Sequence, residues 1–94
     1  MSKYKIIENP KKKTLKAAWE KDAEYMIEVF KKVLNSDKFS LEIQPDYDYP
    51  DEPIFYVVYH DPNLEKKVKT QFDKYNELLV KEFIKHGKSC NVLF

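Results

Sequence analysis

The sequence predicts an α+β fold in which two helices cover one face of a small antiparallel β-sheet. Three observations predict it. Two long segments, 15–34 and 62–86, carry apolar residues at helical spacing. The segments around them either alternate apolar and polar residues or run β-branched and aromatic, as strands do. All of this fits in 94 residues with 43% hydrophobic and 15% aromatic content, which makes residues 1–94 a single domain with one modest core.

Residues 2–8, SKYKIIE, read as a short strand, the least marked of the elements, and 9–13, NPKKK, as a loop. Thr14 is placed to cap the first helix. Leu15, Ala18, Trp19, Met26, Val29, Phe30, Val33 and Leu34 form its apolar stripe, with Ala23 taking the place that Asp22 interrupts. Glu28 and Lys32 are spaced for an i,i+4 ion pair. Asn35, Ser36 and Asp37 end the helix. KFSLEIQ, 38–44, alternates strictly, with Phe39, Leu41 and Ile43 on one side. IFYVVYH, 54–60, is the composition of a more fully covered strand. Asp61 caps the second helix and Pro62 suits its first position. Leu64, Val68, Phe72, Tyr75, Leu79 and Phe83 form its inner stripe, broadened by Leu78, Val80 and Ile84. Gly87, the only glycine, turns the chain out. The tail, CNVLF, alternates as a last strand.

The order β-α-β-β-α-β is the split βαβ pattern of ferredoxin-like folds. Without the first strand it becomes α-β-β-α-β on a three-stranded sheet.

Several function classes are disfavoured by composition. No apolar run approaches the roughly 20 residues a membrane helix needs. The N-terminus has no secretory h-region. One cysteine, Cys90, fits a reducing compartment, so a cytoplasmic location is expected. Net charge is +1, and all 17 basic side chains are lysine. Bidentate reading of phosphates and guanine edges usually uses arginine, so sequence-specific nucleic-acid readout is disfavoured while diffuse backbone attraction is not. No G-x-S-x-G, P-loop or paired Cys/His spacing occurs, and no enzyme activity or cofactor is expected. His60 beside Asp61 is the one pair with base-catalyst chemistry. A strand-end histidine next to a helix cap is the favoured account of it, since little else converges there.

The stretch PDYDYPDEP, 45–53, concentrates charge between the two central strands. Asp46, Asp48, Asp51 and Glu52 are hard oxygen donors, but an EF-type calcium loop needs a ligand and a glycine where Pro50 and Asp51 stand, so no metal is expected. Two readings remain: a solvated connection stiffened by proline, and a recognition loop. In the second, carboxylates interleaved with Tyr47 and Tyr49 imitate the charge and stacking surface of a nucleic-acid strand and enter a basic groove on another protein. The opposite cluster, Lys3, Lys5, Lys11, Lys12, Lys13 and Lys16, faces only Glu8 in the first sixteen residues. It is the candidate RNA-binding patch if RNA binds at all. Phe55, Tyr56 and Tyr59 offer a second platform for bases, without the glycine-containing motif such platforms carry.

Residues 70–90, TQFDKYNELLVKEFIKHGKSC, resemble the Dmd-like antitoxins of T-even phages. Thr70, Gln71, Phe72, Asn76, Leu79, Val80, Lys81, Phe83, Ile84, Lys88 and Cys90 carry the resemblance. It implies a phage protein inhibitor, itself non-catalytic, that binds a host RNase toxin of the RnlA/LsoA kind. The first helix and the basic segment before it have no counterpart in that family. Many matched positions are apolar helix positions that any core-facing helix would fill, so the resemblance assigns no toxin-contacting residue. The expected function is therefore an inhibitor of a host defence factor that uses the acidic loop. An RNA-binding accessory module using the lysine cluster is the alternative.

Overall fold

The computed structural model describes residues 3–94. Ser2, at the start of the expected first strand, lies outside the described residues. The elements are β1 (Tyr4–Ile6), α1 (Leu15–Leu34), β2 (Phe39–Pro45), β3 (Pro53–Tyr59), α2 (Pro62–Thr70), α3 (Phe72–His86) and β4 (Asn91–Leu93).

Helix α1 forms where its apolar spacing places it, because one stripe is buried along its length: Trp19, Ala23, Met26, Ile27, Val29, Phe30, Val33 and Leu34. Ala18 falls on the exposed side instead. Thr14 occupies the cap position, but its backbone is already helical (φ −65°, ψ −21°) and its side chain makes no capping hydrogen bond. Asn35 ends the helix in the left-handed region, φ 50° and ψ 43°. Glu28 pairs with Lys31 at 3.5 Å rather than with Lys32, which reaches across to Glu82 of α3 at 3.8 Å.

The second helix is two. Asp61 caps α2 as expected, its carboxylate accepting from the Asn63 N–H at 2.9 Å. At Gln71 the backbone leaves helical geometry (φ −115°, ψ 39°), although hydrogen bonds continue on both sides of it, to Lys67 and from Tyr75. The bend lets α2 rest on β3 while α3 lies against α1. It also redirects the apolar stripe. Leu64, Val68, Tyr75 and Leu79 are buried, but Phe72, Val80 and Ile84, expected inside, stand exposed. Gly87 closes α3 in the left-handed region at φ 65°, with the Lys88 N–H bonded to the Phe83 carbonyl.

The sheet is mixed, in the order β1-β2-β3-β4. β2 and β3 form the antiparallel hairpin, while β1 joins β2 and β4 joins β3 in parallel. This corrects both the ferredoxin-like order and the all-antiparallel sheet. Each crossover returns beside the strand it left instead of skipping one. With all helices on one face, that order makes the two parallel crossovers opposite in hand, whereas the interleaved ferredoxin order keeps both right-handed.

Side chains sort by register. Ile6, Ile43, Phe55 and Val92 lie in one row beneath the helices, with Leu41 and Phe39 beside them. The other face carries no helix. Lys5, Glu42, Tyr56 and Leu93 cross it in one row, with Ser40, Gln44, Ile54, Val58 and Asn91 flanking. β3, read as the more fully covered strand, is instead covered on one face, and Phe55 is its only fully buried residue. Phe55 and Tyr59 belong to the core side, which leaves Tyr56 alone of the three aromatics on the open face.

Candidate functional site

The acidic stretch folds into a defined loop at the C-terminal end of β2. The side chain of Asp46 turns back on its own backbone, Oδ1 accepting from the N–H groups of Asp48 (2.8 Å) and Tyr49 (3.2 Å). The Asp46 N–H donates to the Glu52 carbonyl, and the Glu52 N–H to the Tyr49 carbonyl, each at 2.8 Å. These four bonds fix the loop without help from a partner. Its tip faces outward: Tyr47 is 96% exposed and Tyr49 66%. Asp48 and Glu52 are exposed and form no ion pair among the described residues.

One end of the loop is tied to the body. Lys12 meets the Asp51 carboxylate at 3.1 Å, and the buried Trp19 donates its indole N–H to the Asp51 carbonyl at 3.3 Å. The ion pair is largely solvated and contributes little to stability, on the order of 0–1 kcal/mol, but it neutralises one of the four carboxylates. The sequence does not reveal this pairing, because Lys12 and Asp51 are 39 residues apart. Trp19 carried a weaker signal, since a buried indole N–H needs an acceptor.

The lysine cluster is not a single patch. Lys3 sits where β2 begins and bonds the Asp37 carbonyl at 2.7 Å, with the Asp37 carboxylate at 3.9 Å. Lys5 is on the open sheet face opposite Glu42. Lys11 and Lys12 lie beside the acidic loop at the other end of β2, and Lys13 and Lys16 are exposed at the start of α1. Strand β2 is seven residues long, so Lys3 and Lys12 stand roughly 20 Å apart at ~3.3 Å per residue.

A recess of about 390 Å³ opens between the loop and the uncovered sheet face. Tyr47, Tyr56, Pro45, Pro50 and Ile54 form its apolar walls, and Glu8, Asn9, Lys11, Gln44 and Asp46 its polar rim. Inside, the Gln44 amide donates to the Tyr56 hydroxyl at 2.8 Å. The alternation of β2 already turned Gln44 outward; the continuous apolar run of β3 concealed that Tyr56 does the same.

His60 and Asp61 have separate hydrogen-bond partners. His60 Nε2 lies 2.9 Å from Ser40 Oγ, while the Asp61 carboxylate is occupied in capping α2. Cys90 lies near a clasp between α1 and the end of α3, where Lys88 meets Asp22 at 2.6 Å and Tyr25 donates to the Lys88 carbonyl at 2.7 Å. Burial, reinforced by Asp22, pushes the Cys90 thiol up to about 11. Among the described residues no three His, Cys, Asp or Glu side chains converge as a metal site would require, and no helix is long and apolar enough to cross a membrane.

No protein-family model, curated protein or solved structure matches this chain.

Proposed function

We propose that this chain is a small inhibitor that binds a host defence factor, such as an RNase toxin, through loop 45–53, and performs no chemistry itself. The observation that carries this reading is a fixed loop with outward tyrosines. Tyr47 and Tyr49 stand in solvent on a backbone held by the loop's own hydrogen bonds. A preformed loop loses little conformational entropy on docking. Exposed tyrosines flanked by carboxylates supply both anchors and charge for a basic groove. The resemblance of residues 70–90 to Dmd-like antitoxins supports an RNase toxin as the target and a phage origin, with action in the host cytoplasm. Of the matched positions only Leu79 is buried, while Phe72, Asn76, Val80, Lys81 and Ile84 stand exposed, so the resemblance does not mark the core of α3 and assigns no contact residue.

The RNA-binding alternative is weakened by the separation of Lys3 from Lys11–Lys13 and by the pairing of Lys12 with Asp51. Affinity purification of the tagged full chain from bacterial cells tests the two together. One dominant, stoichiometric protein partner is the expected outcome. Recovery of no protein, with tight and strongly salt-dependent RNA binding by the purified chain, would overturn the inhibitor reading.

A further inference from the structure

We propose that the recess beside the loop receives an arginine side chain of the partner protein, its guanidinium lying against the rings of Tyr47 and Tyr56. The inference rests on the proposed function, because it names the anchor that such a partner would insert. The chemistry of the rim is that of a cation receptor. Gln44 spends an amide N–H on the Tyr56 hydroxyl, which leaves its carbonyl oxygen to accept. Asp46 uses Oδ1 for the loop backbone and keeps Oδ2 free of hydrogen bonds among the described residues. Glu8 lies on the same rim, exposed and without an ion pair among the described residues. Three acceptor side chains and two tyrosines therefore line one space of about 390 Å³. Flat guanidinium groups stack on aromatic rings and donate in a fork to carboxylates, both of which this rim provides.

Composition favours arginine over lysine and a foreign chain over a second copy. The chain has 17 basic side chains, all of them lysine. A receptor selective for guanidinium ignores its own surface and its own copies, a discrimination that an ammonium receptor would lack. Lys11, the one cation on the rim, opposes any positive occupant. A surface built to hold RNA phosphates is a natural source of arginine.

The test is an amide chemical-shift titration of the isotope-labelled full chain with N-acetyl-arginine amide, with the citrulline and lysine analogues in parallel. The proposal expects saturable shifts at Gln44, Asp46, Tyr47 and Tyr56, and citrulline binding at least about tenfold more weakly, since it loses the charge-assisted bonds. Tyr56→Leu and Glu8→Gln should each weaken arginine binding, and Lys11→Ala should tighten it. Equal binding of arginine and citrulline overturns the proposal. So does weakening by Lys11→Ala, or displacement of the same amides by inorganic phosphate, either of which would mark an anion site. A chain that captures its partner while the arginine probe leaves these amides unmoved overturns the pocket and leaves the proposed function standing. A saturating probe with no protein partner recovered does the reverse.

Discussion

Replacing Asp46 with alanine removes the acceptor that holds the loop in shape, and replacing it with asparagine removes only the charge. Asp46 Oδ1 accepts two backbone N–H groups, at 2.8 and 3.2 Å, both near solvent. A hydrogen bond contributes about 0.5–1.5 kcal/mol net, and solvent exposure places each of these at the low end. The pair is therefore worth about 1 kcal/mol, the same order as a lost helix cap. In a domain of this size that lowers Tm by about 4–8 °C. Asparagine accepts in the same turn, so Asp46→Asn should keep Tm within about 2 °C. Thermal unfolding followed by circular dichroism measures both. Backbone relaxation should show residues 47–50 loosened in the alanine variant alone. Equal destabilisation by the two substitutions would show that charge, not the turn, supports the loop, and no effect from either would show that the loop needs no such support.

Other regions give equally direct outcomes. Phe55→Ala removes a fully buried ring between Ile43 and Val92 and should cost about 3–5 kcal/mol in urea unfolding, a large share of the stability of a domain this small. Gly87→Ala meets no neighbouring atom, so its cost is purely that of holding alanine at φ 65°, about 1–2 kcal/mol by the same assay. Cys90 binds its proton more tightly in the folded chain than in the unfolded one, its pKa rising from 9.0 to about 11. Its contribution to stability is complete below pH 9 and is lost as pH rises towards 11. Cys90→Ala should flatten the decline of stability with pH across that window, and in the native protein the thiol should alkylate far more slowly at neutral pH than in urea.

Where local chemistry decides the outcome, the sequence was legible. The span of α1, the Asp61 cap, the inward side of β2 and the glycine stop at residue 87 each follow from spacing or from one residue's conformational preference. What stayed hidden depends on partners distant in the chain. Lys32 looks to Glu28 along the helix and finds Glu82 on another. The bend at Gln71 has no proline or glycine to announce it and follows from two helices packing on different neighbours. Strand order was hidden for the same reason, since six elements in one sequence order satisfy several pairings. The acidic loop was legible as a composition, but its attachment through Lys12 and Trp19, and the recess it forms with Gln44 and Tyr56, exist only once β1, α1 and the hairpin are assembled.

The proposed role of the loop as the partner contact is tested most directly by measuring how partner affinity depends on salt, for the native chain and for Asp46→Asn/Asp48→Asn/Asp51→Asn/Glu52→Gln combined. That variant keeps the turn geometry and removes the charge. Weaker binding with a flatter salt dependence is the predicted result. Unchanged affinity and an unchanged slope would place the contact elsewhere on the molecule.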